Sequence, residues 1–232
     1  MEVTDAPVSW NYVALGDSLA AGSGAYTGYV ARYAAYIKSD TDVQVEIVNR
    51  GQSGQTSDQL LYAVRSDSSL RQALSTADVI TFNIGLNDLG HAGESYEKGT
   101  CGGPDNQDCL RAAVETFKEN WEAIIAELLS LRSASNTIIR TTGVGYTPYI
   151  FYSDEPTDTW PSEGRTDDFQ VFKPYVNAIN RYIATTTTNT EIPYSEVCLG
   201  KEAVNPDGVH PNDKGHEIIA DQLRALGYSP LR

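Results

Sequence analysis

The feature that most constrains this chain is a regular exchange between short β-branched runs and longer stretches of helical period. Residues 12–15 read as a buried strand, and 43–48, 79–84, 137–142 and 192–197 repeat the pattern. Between them, Val30, Tyr33 and Ile37 fall at helical spacing, as do Leu60, Leu61 and Val64 behind an expected cap at Ser57. The clearest stripe is Leu110, Val114, Phe117, Trp121, Ile124 and Leu128, with steps of 4, 3, 4, 3 and 4, as one face of an α-helix requires. Phe169, Phe172, Val176, Ile179 and Ile183 form another, in which Pro174 either kinks the helix or marks its true start. A last helix carries Ile218, Ile219, Leu223 and Leu226, capped by Asn212 or Asp213. Strands separated by helices throughout imply a parallel sheet covered on both faces. The expected class is therefore α/β, a three-layer α/β/α sandwich on about five parallel strands. No linker or internal repeat interrupts the pattern, so residues 1–232 read as one domain.

Charge narrows the partners. Seventeen basic residues against 31 acidic ones give a net charge of −14. That excludes nucleic acid or an anionic membrane surface as the main partner, since both need a basic footprint. No apolar run approaches the roughly 20 residues of a transmembrane helix. Two of the three cysteines, Cys101 and Cys109, lie in the loop-like stretch TCGGPDNQDC. Without a CxxC or Cys/His cluster, a zinc site is not expected and no metal is. A local Cys101–Cys109 disulfide is the better reading; it implies an oxidising compartment and leaves Cys198 as the odd thiol. Asp105 and Asp108 in the same loop read as solvated carboxylates rather than calcium ligands. The start MEVTDAPVSW is acidic and polar and shows no signal peptide, which suits a mature N-terminus with an added Met. Secretion is the resulting expectation.

Ligands of open parallel sheets bind beyond the carboxyl ends of the strands, so the residues just after each strand are the informative ones. They are Gly16-Asp17-Ser18-Leu19, then Asn49-Arg50-Gly51-Gln52-Ser53-Gly54, then Gly85-Leu86-Asn87-Asp88, and finally Asp207-Gly208-Val209-His210-Pro211. GDSL, a Gly-bearing turn after the second strand, GLND and DGVHP, in that order from residue 16 to 211, resemble the SGNH hydrolases, or GDSL esterases and lipases. The resemblance implies a flavodoxin-like α/β/α esterase fold that works without metal or cofactor. It also implies a triad of Ser18, Asp207 and His210, and an oxyanion hole formed by Ser18, Gly54 and Asn87.

Elementary chemistry supports each assignment. A serine hydroxyl is a poor nucleophile until a neighbouring base takes its proton. The chain offers His91, His210 and His216. His216 sits one turn into the last helix and reads as a surface or packing residue; His91 could line the cleft, but no acid pattern orients it. His210 has Asp207 three residues earlier, where a carboxylate can curl back to Nδ1–H and leave Nε2 free as base. The rival nucleophile Ser53 fails the GxSxG pattern, because Gln55 stands where glycine is required, and reads as a turn residue. Donors for a tetrahedral oxyanion would be the amides of Ser18 and Gly54 and the Asn87 side chain, with Gly54 allowing close backbone approach. Asp17 and Asp88 are expected to hydrogen-bond loop backbone nearby. A dinucleotide site is unlike this chain: the glycines at 22, 24 and 28 come late and misspaced, and Asn49 ends the second strand where an acid belongs.

The expected activity is hydrolysis of carboxylic esters, with short acyl groups preferred. The alternatives are a polysaccharide O-acetylesterase, a lysophospholipase or thioesterase, and, outside enzymes, a carbohydrate-binding relative. The expected partner is a small-molecule or carbohydrate ester, and nothing in the sequence fixes the oligomeric state. Substrate choice is expected to lie in loops 89–109 and 145–167. The second carries Tyr146, Tyr149, Phe151, Tyr152 and Trp160 among acids and prolines, and no segment is left over for a large hydrophobic lid.

Overall fold

A computed structural model describes residues 8–144, 167–197 and 199–232, with only the backbone given for 167–170. Strand β1 (Ser9–Gly16) pairs in parallel with β2 (Gln44–Gly51) on one side and β3 (Val79–Asn83) on the other. Strand β4 (Ile138–Thr142) and the short β5 (Tyr194–Ser195) complete a five-stranded sheet in the order β2-β1-β3-β4-β5. The chain winds outward from β1 to β2 and then returns to β3. The carboxyl ends of β1 and β3 therefore flank a topological switch point, where an open α/β sheet offers its crevice.

Side-chain alternation along the strands divides the core into two layers. Val13, Leu15, Ile80, Phe82 and Ile139 face one way, against α3 (Ser57–Ser66), α4 (Ser68–Ser75), α6 (Asp108–Leu131) and α7 (Asp167–Thr190). Tyr12, Ala14, Val79 and Ile138 face the other, against α2 (Tyr29–Thr41) and α8 (Asp213–Ala225). The three-layer arrangement follows from that division. Phe117 and Trp121 of the long stripe lie under Phe82, with the two Trp121 ring contacts at 5.7 and 5.0 Å. Burying such aromatics against the sheet anchors α6 far more than helix propensity could.

Some expectations are corrected. Thr56, not Ser57, caps α3, in a capping box with Gln59; Ser57 begins the helix and turns its hydroxyl to Asp88. The fifth strand shrinks to two residues because Pro193 has no N–H for a ladder, and its carbonyl accepts from the Thr141 amide. Ile192 and Val197 are buried all the same, so their apolarity serves packing rather than pairing. The first half of the supposed loop 89–109 is a helix, α5 (Leu86–Glu97). Gly90 and Gly93 weaken its helical signal in sequence, yet a Cβ on Gly93 would come within 2.9 Å of the Phe172 ring. The glycine there admits the aromatic of a neighbouring helix. Pro174 lies inside α7 rather than at its start. Cys101 and Cys109 form a disulfide with their Cα atoms 4.8 Å apart, joining the turn after α5 to the first turn of α6. Cys198 and the aromatics of the 145–166 stretch lie outside the described residues.

Candidate active site

The first strand ends in a sharp turn that only glycine fits. Gly16 has φ +130°, and a Cβ there would lie 2.1 Å from the Asn83 carbonyl oxygen. The turn delivers Asp17 as the cap of the short helix α1 (Ser18–Ala21), whose first residue is Ser18. Ser18 keeps 7% exposure. Neither its hydroxyl nor its N–H is hydrogen-bonded among the described residues.

Asp17 is 1% exposed and gathers donors from three segments. Its Oδ1 accepts from the Leu19 amide and the Asn83 side chain, both at 3.0 Å, and its Oδ2 lies 3.5 Å from Asn87 Nδ2. Burial pushes its carboxyl up to about 6, against the Leu19 and Asn83 hydrogen bonds that favour the charge. Asn87, the second residue of α5, also donates to the Gln55 carbonyl at 3.0 Å. One hydrogen of its amide is thus engaged, and the other has only the long Asp17 contact. Asp88 accepts from the amide and hydroxyl of Ser57, and Asn120 donates to that same hydroxyl. Burial pushes the Asp88 carboxyl up in spite of those bonds. The network ties the start of α5 to the start of α3 and so fixes where Asn87 stands.

Gly54 lies in the turn after β2 with φ +78°, and a Cβ there would meet nothing within 4 Å. Its conformation calls for glycine, and its N–H has no partner among the described residues. Ser53 beside it shares a 3.0 Å hydrogen bond with the Ser23 hydroxyl.

Asp207 and His210 meet in the turn before α8. Asp207 Oδ2 lies 2.7 Å from His210 Nδ1, while Oδ1 accepts from the Val209 and His210 amides at 2.9 Å. Burial opposes the Asp207 charge, but the His210 amide, the His210 ring and the Val209 amide outweigh it and hold the carboxyl below its ordinary range. An ionised carboxylate on Nδ1 fixes that nitrogen as the donor and leaves Nε2 with a lone pair. No hydrogen bond joins Nε2 to Ser18 among the described residues, although His210 is close enough for its charge to act on Asp17. Catalytic hydrogen bonds are often long before substrate binds.

Of the other two histidines, His91 is exposed. His216 is fully buried, its Nδ1 3.1 Å from the Tyr29 amide and its Nε2 3.1 Å from the Ser23 carbonyl. It is a packing residue rather than a surface one. Asn83, Asn205 and His216 escaped the motif reading. A signal existed for His216, since it shares an apolar face with Ile219, Ala220 and Leu223. Asn83 likewise ends a strand whose residues are all buried. Among the described residues, no group of three or more His, Cys, Asp or Glu side chains could hold a metal ion.

The sheet order, with a serine directly after β1 and an Asp–His pair before the last helix, defines an α/β fold of the SGNH-hydrolase class. Residues 14–218 match the GDSL-like Lipase/Acylhydrolase family, and the chain belongs to it; it is a carboxylic ester hydrolase. A spore germination lipase, LipC of Bacillus licheniformis, is 27% identical over 230 residues, covering 95% of this chain and 97% of the relative. Among solved structures, the lipase Lip_vut3 from a goat rumen metagenome superposes with a TM-score of 0.75 at 22% identity, covering 96% of this chain and all of that one. An acetylxylan esterase, Axe2 of Geobacillus stearothermophilus, gives a TM-score of 0.65 at 17% identity, over 99% of this chain and 100% of that one. At such identities the two structures speak for the fold.

Proposed function

We propose that the chain hydrolyses short-chain carboxylic esters through an acyl-enzyme on Ser18. His210 Nε2 takes the Ser18 proton as the hydroxyl attacks the acyl carbonyl, and Asp207 stabilises the imidazolium that forms. The amides of Ser18 and Gly54 receive the oxyanion. The Asn87 amide joins them by exchanging its long Asp17 contact for the developing charge, where a preorganised donor is worth most. The imidazolium then protonates the leaving alcohol. Water, activated by the same base, attacks the acyl-enzyme, and Ser18 leaves with the proton returned by His210.

The observation that carries this reading is the Asp207–His210 pair at 2.7 Å, with its carboxylate fastened by two backbone amides. The unengaged Ser18 and Gly54 amides support it, because a donor without a partner in the fold is one that can serve a ligand. A non-catalytic carbohydrate-binding relative would have no use for such a pair. The polar side chains described beside Ser18, Asp17 in contact with Asn87 and Ser23 bonded to Ser53, offer an acyl chain no apolar surface. A long acyl chain would find little there to cover it, forgoing about 0.8 kcal/mol for each methylene left in water. Acetyl esters of saccharides are the second reading, favoured by the likeness to an acetyl-xylooligosaccharide esterase fold. Lysophospholipids and thioesters rank behind it. The disulfide suits an oxidising compartment, so secretion belongs to the proposal, as does the reading of residues 1–232 as one domain.

The test is turnover of p-nitrophenyl acetate by the Ser18→Ala and Ser53→Ala variants. Ser18→Ala is expected to lose several orders of magnitude in kcat/KM and Ser53→Ala to keep most of it. The reverse result would overturn the assignment.

A further inference from the structure

Ser23 belongs to none of the motif blocks, yet three segments of the site converge on it. Its amide donates to the Ser18 carbonyl at 2.9 Å. Its hydroxyl bonds that of Ser53, the neighbour of Gly54, at 3.0 Å. Its carbonyl lies 3.1 Å from Nε2 of His216, on the helix that follows the Asp207–His210 turn. The next residue continues the contact. The Gly24 carbonyl accepts from Asn205 Nδ2 at 2.9 Å, and the same nitrogen lies 3.0 Å from the His210 carbonyl and 3.1 Å from that of Pro211. A Cβ on Gly24 would come within 2.8 Å of the His210 Cβ, so this backbone packs directly on the residue of the base.

The state of the His216 ring follows from its partners. The Tyr29 amide can only donate and the Ser23 carbonyl can only accept. Nδ1 therefore presents its lone pair and Nε2 carries the proton, the neutral tautomer. The ring is buried and stacks on Tyr29, with centroids 6.2 Å apart and planes 10° from parallel. Burial also lowers the pKa of His216, in keeping with a ring that stays neutral. A cation would point a second N–H at the Tyr29 amide.

We propose that His216 is a positioning residue for the hydrolysis: by holding the Ser23 carbonyl it sets Ser18 and the Gly54 turn in place against His210. This rests on Ser18 as the nucleophile. Ser23 transmits the restraint in two directions, through its amide to the nucleophile and through its hydroxyl to the oxyanion turn. Displacements of about 1 Å from such a change can cost on the order of 100-fold in rate.

The test compares kcat and KM on p-nitrophenyl acetate for His216→Phe, His216→Asn, His216→Gln and Ser23→Ala, each with its melting temperature. Phe keeps the ring stack and loses both bonds. Asn keeps a polar atom near the Nδ1 position only, while Gln carries an amide nitrogen out to where Nε2 donates. The expected result is a kcat lower by about 10- to 100-fold in the Phe and Asn variants, with KM little changed. Gln is expected to recover most of kcat, because it restores the bond to Ser23. Ser23→Ala removes only the hydroxyl bond to Ser53, the bond Ser53→Ala also removes, and leaves the carbonyl on His216, so it is expected to keep most of kcat; His216→Gln and His216→Asn serve as the test if the Phe variant does not fold. A wild-type kcat in the folded His216→Phe and His216→Asn variants would overturn the proposal. So would a Gln variant no better than Phe. An active Ser18→Ala would instead overturn the nucleophile reading beneath it, so the two failures are distinguishable.

Discussion

Replacing Asp17 by Asn should make the protein more stable and less active, and the gain should depend on pH. Asp17 is buried beside Ser18, and its carboxyl is raised from 3.8 to about 6. A raised carboxyl penalises the fold wherever it must ionise. Below about pH 3 the group is protonated in both folded and unfolded chains and there is no penalty; as pH rises through about 6 the penalty becomes complete. A rise of about two units at 1.36 kcal/mol each amounts to about 3 kcal/mol at pH 8. The substitution removes that cost and can keep the bonds that matter. Both 3.0 Å contacts, from the Leu19 amide and Asn83, fall on one oxygen, Oδ1. The side-chain carbonyl of the new asparagine, set in that place, accepts both. Its amide then stands in place of Oδ2, next to the Asn87 amide 3.5 Å away, where two donors face each other. Asn87 turns aside, and the negative charge that faces His210 is gone. Chemical unfolding of Asp17→Asn and wild type at about pH 8 should differ by up to about 3 kcal/mol, a melting shift of roughly 5–10 °C for a chain of this size. The difference should shrink steeply toward pH 4 and vanish below about pH 3. On p-nitrophenyl acetate, kcat/KM should fall tenfold or more. A variant less stable than wild type at pH 8, or a difference as large at about pH 3, would refute the argument.

Wild-type kcat/KM should fall as the pH drops through about 6, because Asp17 beside Ser18 loses its charge there; a flat profile between about pH 5 and 8 would count against a role for that charge. Gly16→Ala should fail to give soluble, folded enzyme, because the new Cβ would fall 2.1 Å from backbone at a φ of +130°; a melting temperature within a few degrees of wild type would contradict that. Breaking the Cys101–Cys109 bond should cost on the order of 2–3 kcal/mol at most, given the short loop it closes, and thiol titration of the unreduced, denatured protein should find one free thiol rather than three. Across p-nitrophenyl esters of increasing chain length, acetate and butyrate should exceed palmitate in kcat/KM, and a maximum at long chains would reveal an apolar groove near Ser18.

What the sequence disclosed and what it hid differ by the kind of signal. The strands could be read because Val13, Leu15, Ile80, Phe82 and Ile139 are apolar where the sheet is covered, and the long stripe from Leu110 to Leu128 announced α6. Parallel strands then placed Ser18, Gly54, Asn87 and His210 beyond their carboxyl ends, before any side-chain geometry was known. The Asp207–His210 contact was legible because only two residues of a tight turn separate the partners. Contacts across long separations were not. Ser23 and His216 lie 193 residues apart, and Asp17 and Asn87 lie 70 apart, so nothing local marks them as partners. Helix α5 stayed hidden for another reason. Its glycines argue against a helix on propensity alone, and packing against Phe172 decides the matter.

The central claim is that the acyl group passes through Ser18. Mixing the enzyme with p-nitrophenyl acetate, quenching in acid within the first turnover and mapping the acetylated peptide tests it most directly. The acetyl group should reside on the peptide that contains Ser18, with fragmentation placing it on that side chain rather than on Ser23, and Ser18→Ala should carry none. Acetyl on the peptide containing Ser53, or full turnover by Ser18→Ala, would contradict the account.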